Sequence, residues 1–555
     1  MDGAETQELQ MILGGFIEQE RLPEAFRETA IEHYLPLAAR VHGRRQRLGR
    51  SMLVGVNGAQ GSGKSTMAAL LGRLLEEHGY RVAILSIDDF YLDQTKRGEL
   101  ASEVHPLFRT RGVPGTHDIS LLGEVIDELL SGARPLIPRF DKSTDNPVPE
   151  DQWQRPETPV DIVIFEGWCV GAAPMDKLGD PINELEERED PEGVWRAEIQ
   201  LQLSGSYQEL FRKIDFLMML RVPSFERVFQ WRSLQERKLR EKLEAEGRMD
   251  SATALMGEEQ LKRFIDHYER LTRWMLEEMP SRADQVLLLS DERKLTTVPV
   301  PRKLLVVTDL DATLLDESYS YEAAKPALAK LQGQGAPVVF NSSKTLEEMK
   351  PLASEMGQRM PIVAENGGLL AIPNGDDYEV RILGLSRDDI LKQAHALRDE
   401  HGFKFQGFAD WNPATVMEHT GLSEESAKLS GKRLTTEPIL WDDSEERFDV
   451  FCGMLAESGI RALRGGHFIH LMGDADKADG LLAVLRWFAE TEPETDWMTV
   501  ALGDSANDEQ MLHAAELAFV LPGRRGGWIK GSCLQTRRVG KSGPQGWNEA
   551  ILSLR

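Results

Sequence analysis

The chain has 555 residues, of which 41% are hydrophobic and 28% are charged, as is typical of folded globular proteins. A single hydrophobic core stops growing near about 250–300 residues, so at least two domains are expected. Acidic residues outnumber basic ones by 91 to 65, and the net charge of −26 repels nucleic-acid phosphates and anionic lipid. Composition and charge therefore exclude a mainly disordered chain, and they disfavour nucleic acid or a membrane surface as a general partner.

Cysteine usage and the N-terminal segment indicate the cellular compartment of the protein. Cys169, Cys452 and Cys533 are far apart and form no CxxC pair, which is typical of a reducing compartment and predicts no zinc site. The first ten residues lack the basic and apolar segments of a signal peptide. No apolar run approaches the roughly 20 residues that span a bilayer. We therefore expect a cytoplasmic protein.

The alternation of apolar strands, loops and helices divides the chain into two α/β segments. We expect an N-terminal helical extension at 1–50, a first domain at 51–290, a linker at 291–302 and a second domain from 303 to 555. The linker is marked by a polar run that contains two prolines.

The first domain opens with an apolar strand, a glycine-rich turn and a helix. The turn GAQGSGKS at 58–65 matches the GxxxxGK[ST] pattern at every required position. Its glycines let backbone N–H groups face an anion, and the helix N-terminus adds positive potential. Lys64 can reach the β- and γ-phosphates, and the Ser65 hydroxyl can bind Mg²⁺. The predicted nucleotide-binding residues are Gly58, Gly61, Gly63, Lys64, Ser65 and Thr66.

Carboxylates follow two further strands of this domain. RVAILSIDDFY ends a strand at Asp88 and Asp89, and PVDIVIFEGW ends another at Glu166. Acids at strand C-termini face the crevice where α/β folds bind ligands. One of them can accept the proton of an acceptor hydroxyl and another can hold Mg²⁺, and the sequence leaves open which does which. Asp89 has the alternative interpretation of a cap on the following turn.

A basic helix is the next feature of this domain. The segment PSFERVFQWRSLQERKLREKL, which starts at residue 223, has two interpretations. It forms either a solvated helix with Glu–Arg pairs or a lid that clamps the transferring phosphate.

Taken together, these segments resemble the D-glycerate 3-kinases over about residues 30–290. The matching segments are VNGAQGSGKST, SIDDFYL, VHPLFRTRGVPGTHD, IPRFDKS, VIFEGWCVGA, PINELEERED, PSFERVFQWRSLQE and HYERLTRWML. The resemblance implies phosphorylation of the 3-hydroxyl of D-glycerate by ATP with Mg²⁺. It implies that Lys64 and Ser65 hold nucleotide and metal, with Asp88 and Glu166 as base or metal ligand. The candidates that it suggests for binding the glycerate carboxylate are Arg111, His117 and Arg139.

Two pairs of aspartates stand out in the second domain. LLVVTDLDATLLD ends a strand at Asp309 and Asp311, and MTVALGDSANDEQML ends one at Asp504, with Asp508 four residues on. In the first pair, one carboxylate can attack phosphorus while the other protonates the leaving oxygen and then activates water. The second pair offers the oxygen ligands that Mg²⁺ prefers.

These motifs resemble the haloacid-dehalogenase phosphatase superfamily over residues 303–555. The resemblance implies that Asp309 is the nucleophile that becomes aspartyl-phosphate and that Asp311 is the general acid and base. It implies that Ser342 binds the phosphoryl oxygens and that Lys477 neutralises charge between nucleophile and phosphate. The implied magnesium ligands are Asp309, the Asp311 backbone carbonyl, Asp504 and Asp508.

The stretch before Lys477 is too long for a loop, so we expect a cap domain at 378–466 and a core at 303–377 and 467–555. This part resembles the mannosyl-3-phosphoglycerate phosphatases through FNSSKT, AENGG, TGLS, KRLTTEP and RGGHFIHLMG. The implied substrate-binding residues are Asn341, Lys344, Arg433 and Arg464.

Two of these assignments stay open. Lys344 has the alternative interpretation of a solvated cation at a helix start. His467 replaces an expected arginine, which keeps a hydrogen-bond donor but loses a permanent charge. The choice between mannose and glucose is therefore left open.

The sequence thus predicts two fused α/β enzymes. The first is a P-loop kinase with a doubly wound parallel sheet, and the second is a Rossmann-like haloacid-dehalogenase core with an α+β cap. D-glycerate would become 3-phosphoglycerate in the first, and mannosyl- or glucosyl-3-phosphoglycerate would lose its phosphate in the second. A separate glycosyltransferase is the expected metabolic partner. Two alternatives remain: another small-molecule P-loop kinase fused to a phosphatase of sucrose-phosphate type, and a sensor in which one half binds ligand without turnover.

Overall fold

The computed structural model describes residues 3–233, 258–357, 359–464, 467–524, 526–529 and 534–554. The chain divides into two compact units, of which the first is Gln10–Val300 and the second is Pro301–Arg555 together with Met1–Leu9. Among the described helices, none combines the length and apolar character that a membrane span needs. Residues 234–243, about half of the predicted basic helix, lie outside the described residues.

The first unit is built on a six-stranded sheet. The strands of this unit are β1 (Met52–Gly58), β2 (Val82–Ser86), β3 (Phe140–Asp141), β4 (Asn146–Pro147), β5 (Ile162–Gly167), β6 (Phe216–Arg221), β7 (Gln285–Leu289) and β8 (Leu295–Thr297). β3 and β4 form a separate hairpin, and the others pair in the order β2-β5-β1-β6-β7-β8. All pairs of this sheet are parallel except β7 with β8. Residues 295–297, expected in the linker, therefore add an edge strand to the sheet.

Helices cover both faces of this sheet. The helices are α1 (Gly3–Gln19), α2 (Phe26–Thr29), α3 (Leu35–Leu48), α4 (Lys64–Glu77), α5 (Gln94–Glu103), α6 (Ile119–Leu130), α7 (Glu184–Glu189), α8 (Val194–Gln202), α9 (Gln208–Phe211) and α10 (Glu258–Glu278). Every residue of β1 and β5 is buried, as expected for parallel strands covered on both sides. Leu53 and Val163 share a core with Leu122 of α6. This confirms the predicted doubly wound parallel sheet.

The expected N-terminal extension is partly a layer of this fold. Helix α3 packs against β1 and α4. The buried guanidinium of Arg40 donates a 2.6 Å hydrogen bond to Gln285 at the start of β7. Residues 35–48 therefore complete the covering of the sheet.

The core of the second unit is an eight-stranded sheet. Its strands are β9 (Lys303–Thr308), β10 (Val338–Asn341), β11 (Ile362–Ala364), β12 (Leu369–Asn374), β13 (Asp377–Ile382), β18 (Trp497–Gly503), β19 (Leu517–Val520) and β20 (Thr536–Arg538). They pair in the order β13-β12-β11-β10-β9-β18-β19-β20. Pairing is parallel from β11 to β20, and β12 and β13 add an antiparallel hairpin. The helices of the core are α11 (Lys325–Gly333), α12 (Leu346–Glu355), α17 (Lys477–Thr491), α18 (Glu509–Ala514) and α19 (Gly543–Leu552).

A smaller α+β layer is inserted into this core. Its strands are β14 (Phe405–Gly407), β15 (Thr436–Trp441), β16 (Arg461–Arg464) and β17 (Ile469–Met472), and its helices are α13 (Arg387–His401), α14 (Pro413–Thr420), α15 (Glu424–Ser430) and α16 (Glu445–Ala456). The strands form an antiparallel sheet in the order β14-β15-β17-β16. The observed fold, a Rossmann-like core with an α+β cap, therefore confirms the predicted fold class.

The cap boundaries differ from the expected 378–466. β13 belongs to the core sheet because its whole length pairs with β12. β17 lies beyond residue 466 but is an inner strand of the cap sheet, where it pairs with β15 and β16. A short strand does not disclose its pairing partner in its sequence, which is why the sequence misplaced both edges.

Candidate functional sites

The phosphate-binding loop of the first unit connects β1 to α4. Gly63 precedes α4 with a φ of +94°, a left-handed conformation that a side chain would strain. At the start of α4, the Ser65 hydroxyl donates a 2.8 Å hydrogen bond to Glu166 Oε1. The ammonium of Lys64 lies 3.9 Å from Glu166 Oε2. The loop and the predicted strand-end acid therefore form one site.

Glu166 reaches this loop because β5 lies beside β1 in the sheet. The register pairs Glu166 with Val56, two residues before the loop begins. The carboxylate is buried, and its Oε2 atom has no hydrogen-bond partner among the described residues. A buried carboxylate oxygen that accepts no hydrogen bond and lies beside the Ser65 hydroxyl fits a hard divalent cation such as Mg²⁺.

Asp88 is held by two groups at the end of β2. Its Oδ1 accepts a 2.8 Å hydrogen bond from the Tyr91 hydroxyl, and its Oδ2 lies 2.7 Å from Lys142 Nζ. Burial by itself would raise the pKa of Asp88, but Lys142 and Lys64 outweigh burial and lower that pKa to about 2. Asp88 is therefore a carboxylate at neutral pH. Lys142 lies in the quoted IPRFDKS segment but is absent from the predicted site residues.

Asp89 does not cap the turn that follows β2. Its Oδ1 accepts a hydrogen bond from the Phe140 backbone N–H at 3.2 Å, and its Oδ2 pairs with Arg139 at 2.8 Å. These contacts attach the β3–β4 hairpin to the end of β2. Asp89 thus anchors the hairpin that carries Lys142.

The three candidates for the glycerate carboxylate have other partners. Arg111 pairs with Asp145, and Arg139 pairs with Asp89. His117 is buried and its Nδ1 lies 2.7 Å from the Tyr207 hydroxyl. Burial lowers the pKa of His117 to about 4, so its ring is neutral at pH 7.

The second unit brings the two predicted aspartate pairs together. Asp309 follows β9 and Asp508 follows β18, which are neighbouring parallel strands. Lys477, the first residue of α17, lies 2.7 Å from Asp309 Oδ1 and 2.6 Å from Asp508 Oδ1. The Lys477 side chain is fully buried, and although burial lowers its pKa, the two carboxylates raise it above its usual range. The lysine is therefore a permanent buried cation.

Three carboxylates at this point can hold a metal ion. Asp309, Asp504 and Asp508 each place one oxygen within 4.8 Å of the others. Burial raises the pKa of Asp309 to about 7 although Lys477 opposes it, and burial together with Asp508 raises the pKa of Asp504 to about 6. Clustered buried carboxylates with raised pKa values are stabilised by a divalent cation, so these residues fit Mg²⁺.

The other predicted core residues of this site are Lys344, Asn341 and Ser342, and each has a different neighbour. Lys344 lies 3.1 Å from Asp311 Oδ2. The Asn341 amide donates to the Lys477 carbonyl at 2.7 Å and orients the start of α17. Ser342 is buried, and its backbone N–H donates to Val363.

The two predicted arginines of the cap lie in different places. Arg433 donates to Thr436 at 2.8 Å and approaches the Ser343 carbonyl at 3.4 Å, so it reaches the core. Arg464 is exposed, pairs with Glu445 and lies over the Phe448 ring. In this conformation Arg464 is part of the outer cap surface.

A cavity of about 500 Å³ opens above the aspartates. It is lined by Asp309, Asp311, Ala312, Ser343, Asp504, Ser505, Asn507, Gly523, Arg524, Gly526, Gly527, Trp528 and Ile529. Sequence reasoning missed the wall that contains Arg524 and Trp528. The repeated glycines around these two residues are the signal that marks a loop able to approach a ligand.

A further residue that sequence reasoning missed is Glu365. It is fully buried, and its carboxylate accepts hydrogen bonds of 2.8–3.0 Å from the backbone N–H groups of Leu434, Thr435 and Thr436. It thereby joins the core to the cap segment that contains Arg433. An acid within the quoted AENGG turn was the available signal.

Comparison with known proteins assigns the second unit. Residues 306–451 match the family model described as haloacid dehalogenase-like hydrolase. A glucosyl-3-phosphoglycerate/mannosyl-3-phosphoglycerate phosphatase of Methanococcoides burtonii is 33% identical over 266 residues, which are 45% of this chain and 97% of that protein. The chain belongs to the haloacid dehalogenase-like hydrolases. The resemblance predicted for the second half is confirmed.

Two solved structures and one further family model are also similar to parts of this haloacid dehalogenase-like hydrolase. A solved haloacid dehalogenase-like hydrolase from Bacteroides thetaiotaomicron is 17% identical, with a TM-score of 0.35, over 46% of this chain and 100% of that one. D-glycerate 3-kinase from Cryptococcus neoformans var. grubii is 26% identical, with a TM-score of 0.39, over 47% of this chain and 97% of that one. Residues 33–91 match the family model described as methylmalonyl Co-A mutase-associated GTPase MeaB.

Proposed function

We propose that the second unit is a Mg²⁺-dependent phosphatase acting on a glycosyl-3-phosphoglycerate. The observation that carries the proposal is the buried Lys477 between Asp309 and Asp508, with Asp311 at the same cavity. The similarity to the Methanococcoides burtonii phosphatase supports the substrate class. Mannosyl- and glucosyl-3-phosphoglycerate are both retained as substrates.

The chemistry follows from the positions of the acids. The Asp309 carboxylate attacks phosphorus, and Asp311 gives its proton to the leaving oxygen. Asp311 then removes a proton from water, which hydrolyses the aspartyl-phosphate and restores Asp309. Lys477 offsets the negative charge of Asp309 next to an anionic substrate. Mg²⁺, held by Asp309, Asp504 and Asp508, would neutralise further charge on the phosphoryl group.

The proposal has a direct test. Phosphate release with Mg²⁺ is measured on mannosyl-3-phosphoglycerate, glucosyl-3-phosphoglycerate and free 3-phosphoglycerate. We expect a strong preference for a glycosylated substrate. Equal rates on all three, or no release, would contradict the proposed substrate class, whereas release from unrelated sugar phosphates alone would favour a sucrose-phosphate type of phosphatase.

The first unit, we propose, transfers the γ-phosphoryl group of ATP to the 3-hydroxyl of D-glycerate. The hydrogen bond between Ser65 and Glu166 carries this proposal, because it joins the phosphate loop to a strand-end acid. Glu166 and Ser65 would hold Mg²⁺, which would offset negative charge on the nucleotide phosphates. Asp88 accepts the hydroxyl proton while the oxygen attacks phosphorus. Lys64 stabilises the charge that develops on the transferred group.

The kinase proposal is tested with four acceptors and two nucleotides. ADP and phosphoglycerate formation is followed with D-glycerate, L-glycerate, glycerol or no acceptor, and with ATP or GTP. We expect ATP and D-glycerate to be preferred. The variant Lys64→Met should abolish this activity and leave phosphate release by the second unit unchanged. Loss of both activities would instead favour a sensor in which one half controls the other.

The two reactions require a third protein. If the phosphatase accepted free 3-phosphoglycerate, the two units would together hydrolyse ATP without making product. We infer that the phosphatase requires the sugar and that a separate glycosyltransferase of the cytoplasm links the reactions. Deletion of such an enzyme should abolish the glycosylglycerate product while both activities of this chain survive. Persistence of the product would contradict this order of reactions.

A further inference from the structure

The Asp88 carboxylate of the first unit has both oxygens occupied. Tyr91 donates to Oδ1 at 2.8 Å, and the Lys142 ammonium lies 2.7 Å from Oδ2. Tyr91 is buried, whereas the Lys142 side chain is 59% exposed. Lys142 therefore covers the side of Asp88 that faces solvent.

The hairpin that carries Lys142 is fixed at both ends. Before Lys142, Asp89 holds the backbone N–H of Phe140 and the guanidinium of Arg139. After it, Asp145 pairs with the buried Arg97 at 2.7 Å. The backbone is thus anchored, while the exposed lysine side chain can leave Asp88 without opening the hairpin.

The other basic groups near Asp88 already have partners, and Lys64 lies 3.9 Å from Glu166 Oε2 at the phosphate loop. Arg139 belongs to the Asp89 contact, and Arg111 pairs with Asp145 and lies over the Phe140 ring. His117 is buried against Tyr207 and neutral at pH 7. Of the cations around Asp88 in the described residues, Lys142 is the one that touches Asp88 and is exposed to an incoming ligand.

An anionic acceptor and a neutral acceptor meet this arrangement differently. A carboxylate can form a charge-assisted hydrogen bond with the Lys142 ammonium in place of Asp88. Water or glycerol offers no such charge. Asp88 paired with an ammonium is also a poor proton acceptor, because the ammonium stabilises its ionised form.

We infer that Lys142 binds the carboxylate of the acceptor and, in doing so, releases Asp88 to act as the base. This inference rests on the kinase activity proposed above. It assigns to Lys142 the preference of that kinase for an acceptor that has a carboxylate. The acceptor hydroxyl gives its proton to Asp88, its oxygen forms the new bond to the γ-phosphorus, and the bond from that phosphorus to the bridging oxygen of ADP breaks. Lys142 changes partner from Asp88 to the acceptor carboxylate without losing its proton.

The test compares two acceptors that use the same base. Steady-state kinetics are measured with D-glycerate and with glycerol for the wild type, Lys142→Met and Lys142→Arg. Lys96→Met serves as the matched control, since Lys96 is a similarly exposed lysine of the same unit that pairs with Asp118 at 3.8 Å. A change that affects both acceptors equally, such as partial loss of folded enzyme, cancels in the ratio of the two kcat/KM values.

For Lys142→Met we expect the kcat/KM ratio of D-glycerate to glycerol to fall about tenfold or more, equivalent to about 1.4 kcal/mol. The KM for D-glycerate should rise while the KM for ATP stays within about twofold. Lys142→Arg should recover most of the ratio, and Lys96→Met should leave it unchanged.

The two possible failures are distinguishable. If the wild type phosphorylates D-glycerate and Lys142→Met keeps the full acceptor ratio, this inference is wrong and the kinase proposal stands. If Lys142→Met raises the KM for ATP as much as the KM for D-glycerate, the lysine serves the nucleotide and the inference is also overturned. A folded wild type that transfers no phosphate to D-glycerate overturns the kinase proposal, and this inference with it.

Discussion

Lys477 and Asp508 lie 2.6 Å apart with both side chains fully buried, and Asp309 completes the group on the other side of the lysine. One buried cation thus stands between two buried anions. Removing the lysine leaves two buried carboxylates without their cation, which costs about 3–5 kcal/mol, whereas neutralising Asp309 leaves Lys477 paired with Asp508. Stability and phosphatase chemistry therefore depend on the same three residues.

Two substitutions at this group should separate its chemical and structural roles. Asp309→Asn removes the nucleophile, so phosphate release should fall on the order of 10³-fold or more, with little loss of stability. Lys477→Met leaves two facing carboxylates and should also destabilise the second unit by about 3–5 kcal/mol. Phosphate release and urea unfolding measure the two effects. Equal unfolding free energies for the two variants would contradict this account.

Binding of Mg²⁺ should raise the thermal stability of the second unit without nucleotide or substrate. Raised pKa values of Asp309 and Asp504 indicate repulsion that a cation relieves. At 100 times its Kd, a bound ion adds about 2.7 kcal/mol, and each kcal/mol raises Tm by about 2–4 °C in a domain of this size. Calorimetry with Mg²⁺ and with EDTA measures the shift. Asp504→Asn should lose most of it, and an undiminished shift in that variant would place the ion elsewhere.

Glu365 should control how the cap segment is held on the core. In Glu365→Gln, one acceptor oxygen becomes an N–H donor that faces backbone N–H groups, so the second unit should lose about 1–3 kcal/mol. The phosphatase KM should rise because Arg433 adjoins this segment. Glu379→Gln on the exposed β13 is the control and should stay within about 0.5 kcal/mol of the wild type. A Glu365→Gln variant as stable as the control would show that the contact does not contribute to the stability of the second unit.

Acid should destabilise the first unit partly through His117. Burial lowers its pKa to about 4, against about 6.5 in an unfolded chain. The contribution is fully present above pH 6.5 and is lost as the pH falls toward 4, by at most about 3 kcal/mol. Urea unfolding at pH 7.5 and 4.5 measures the loss. His117→Gln cannot protonate and should show a smaller difference between the two pH values, whereas an identical difference would assign the acid sensitivity to other groups.

Much of both sites could be predicted because their chemistry is encoded locally. The phosphate loop depends on glycines and a lysine within eight residues, and Asp309 and Asp311 are separated by one residue at the same strand end. Strand ends were recognisable from apolar runs, so Glu166 and Asp504 could be placed at ligand-binding edges. The predicted cap boundaries were wrong for the opposite reason. β13 and β17 are short, and they pair with strands that only the folded chain selects.

The sequence by itself determined the two fold classes, the phosphate loop and the paired acids, because periodicity and short motifs depend on neighbouring residues. The tertiary structure decided which charges meet. Lys142 reaches Asp88 across 54 residues, and Glu365 reaches Leu434 across 69. The packing of a hairpin or a cap selects these partners. A buried or half-buried charge pairs with whichever oppositely charged or hydrogen-bonding group the fold brings within about 3 Å.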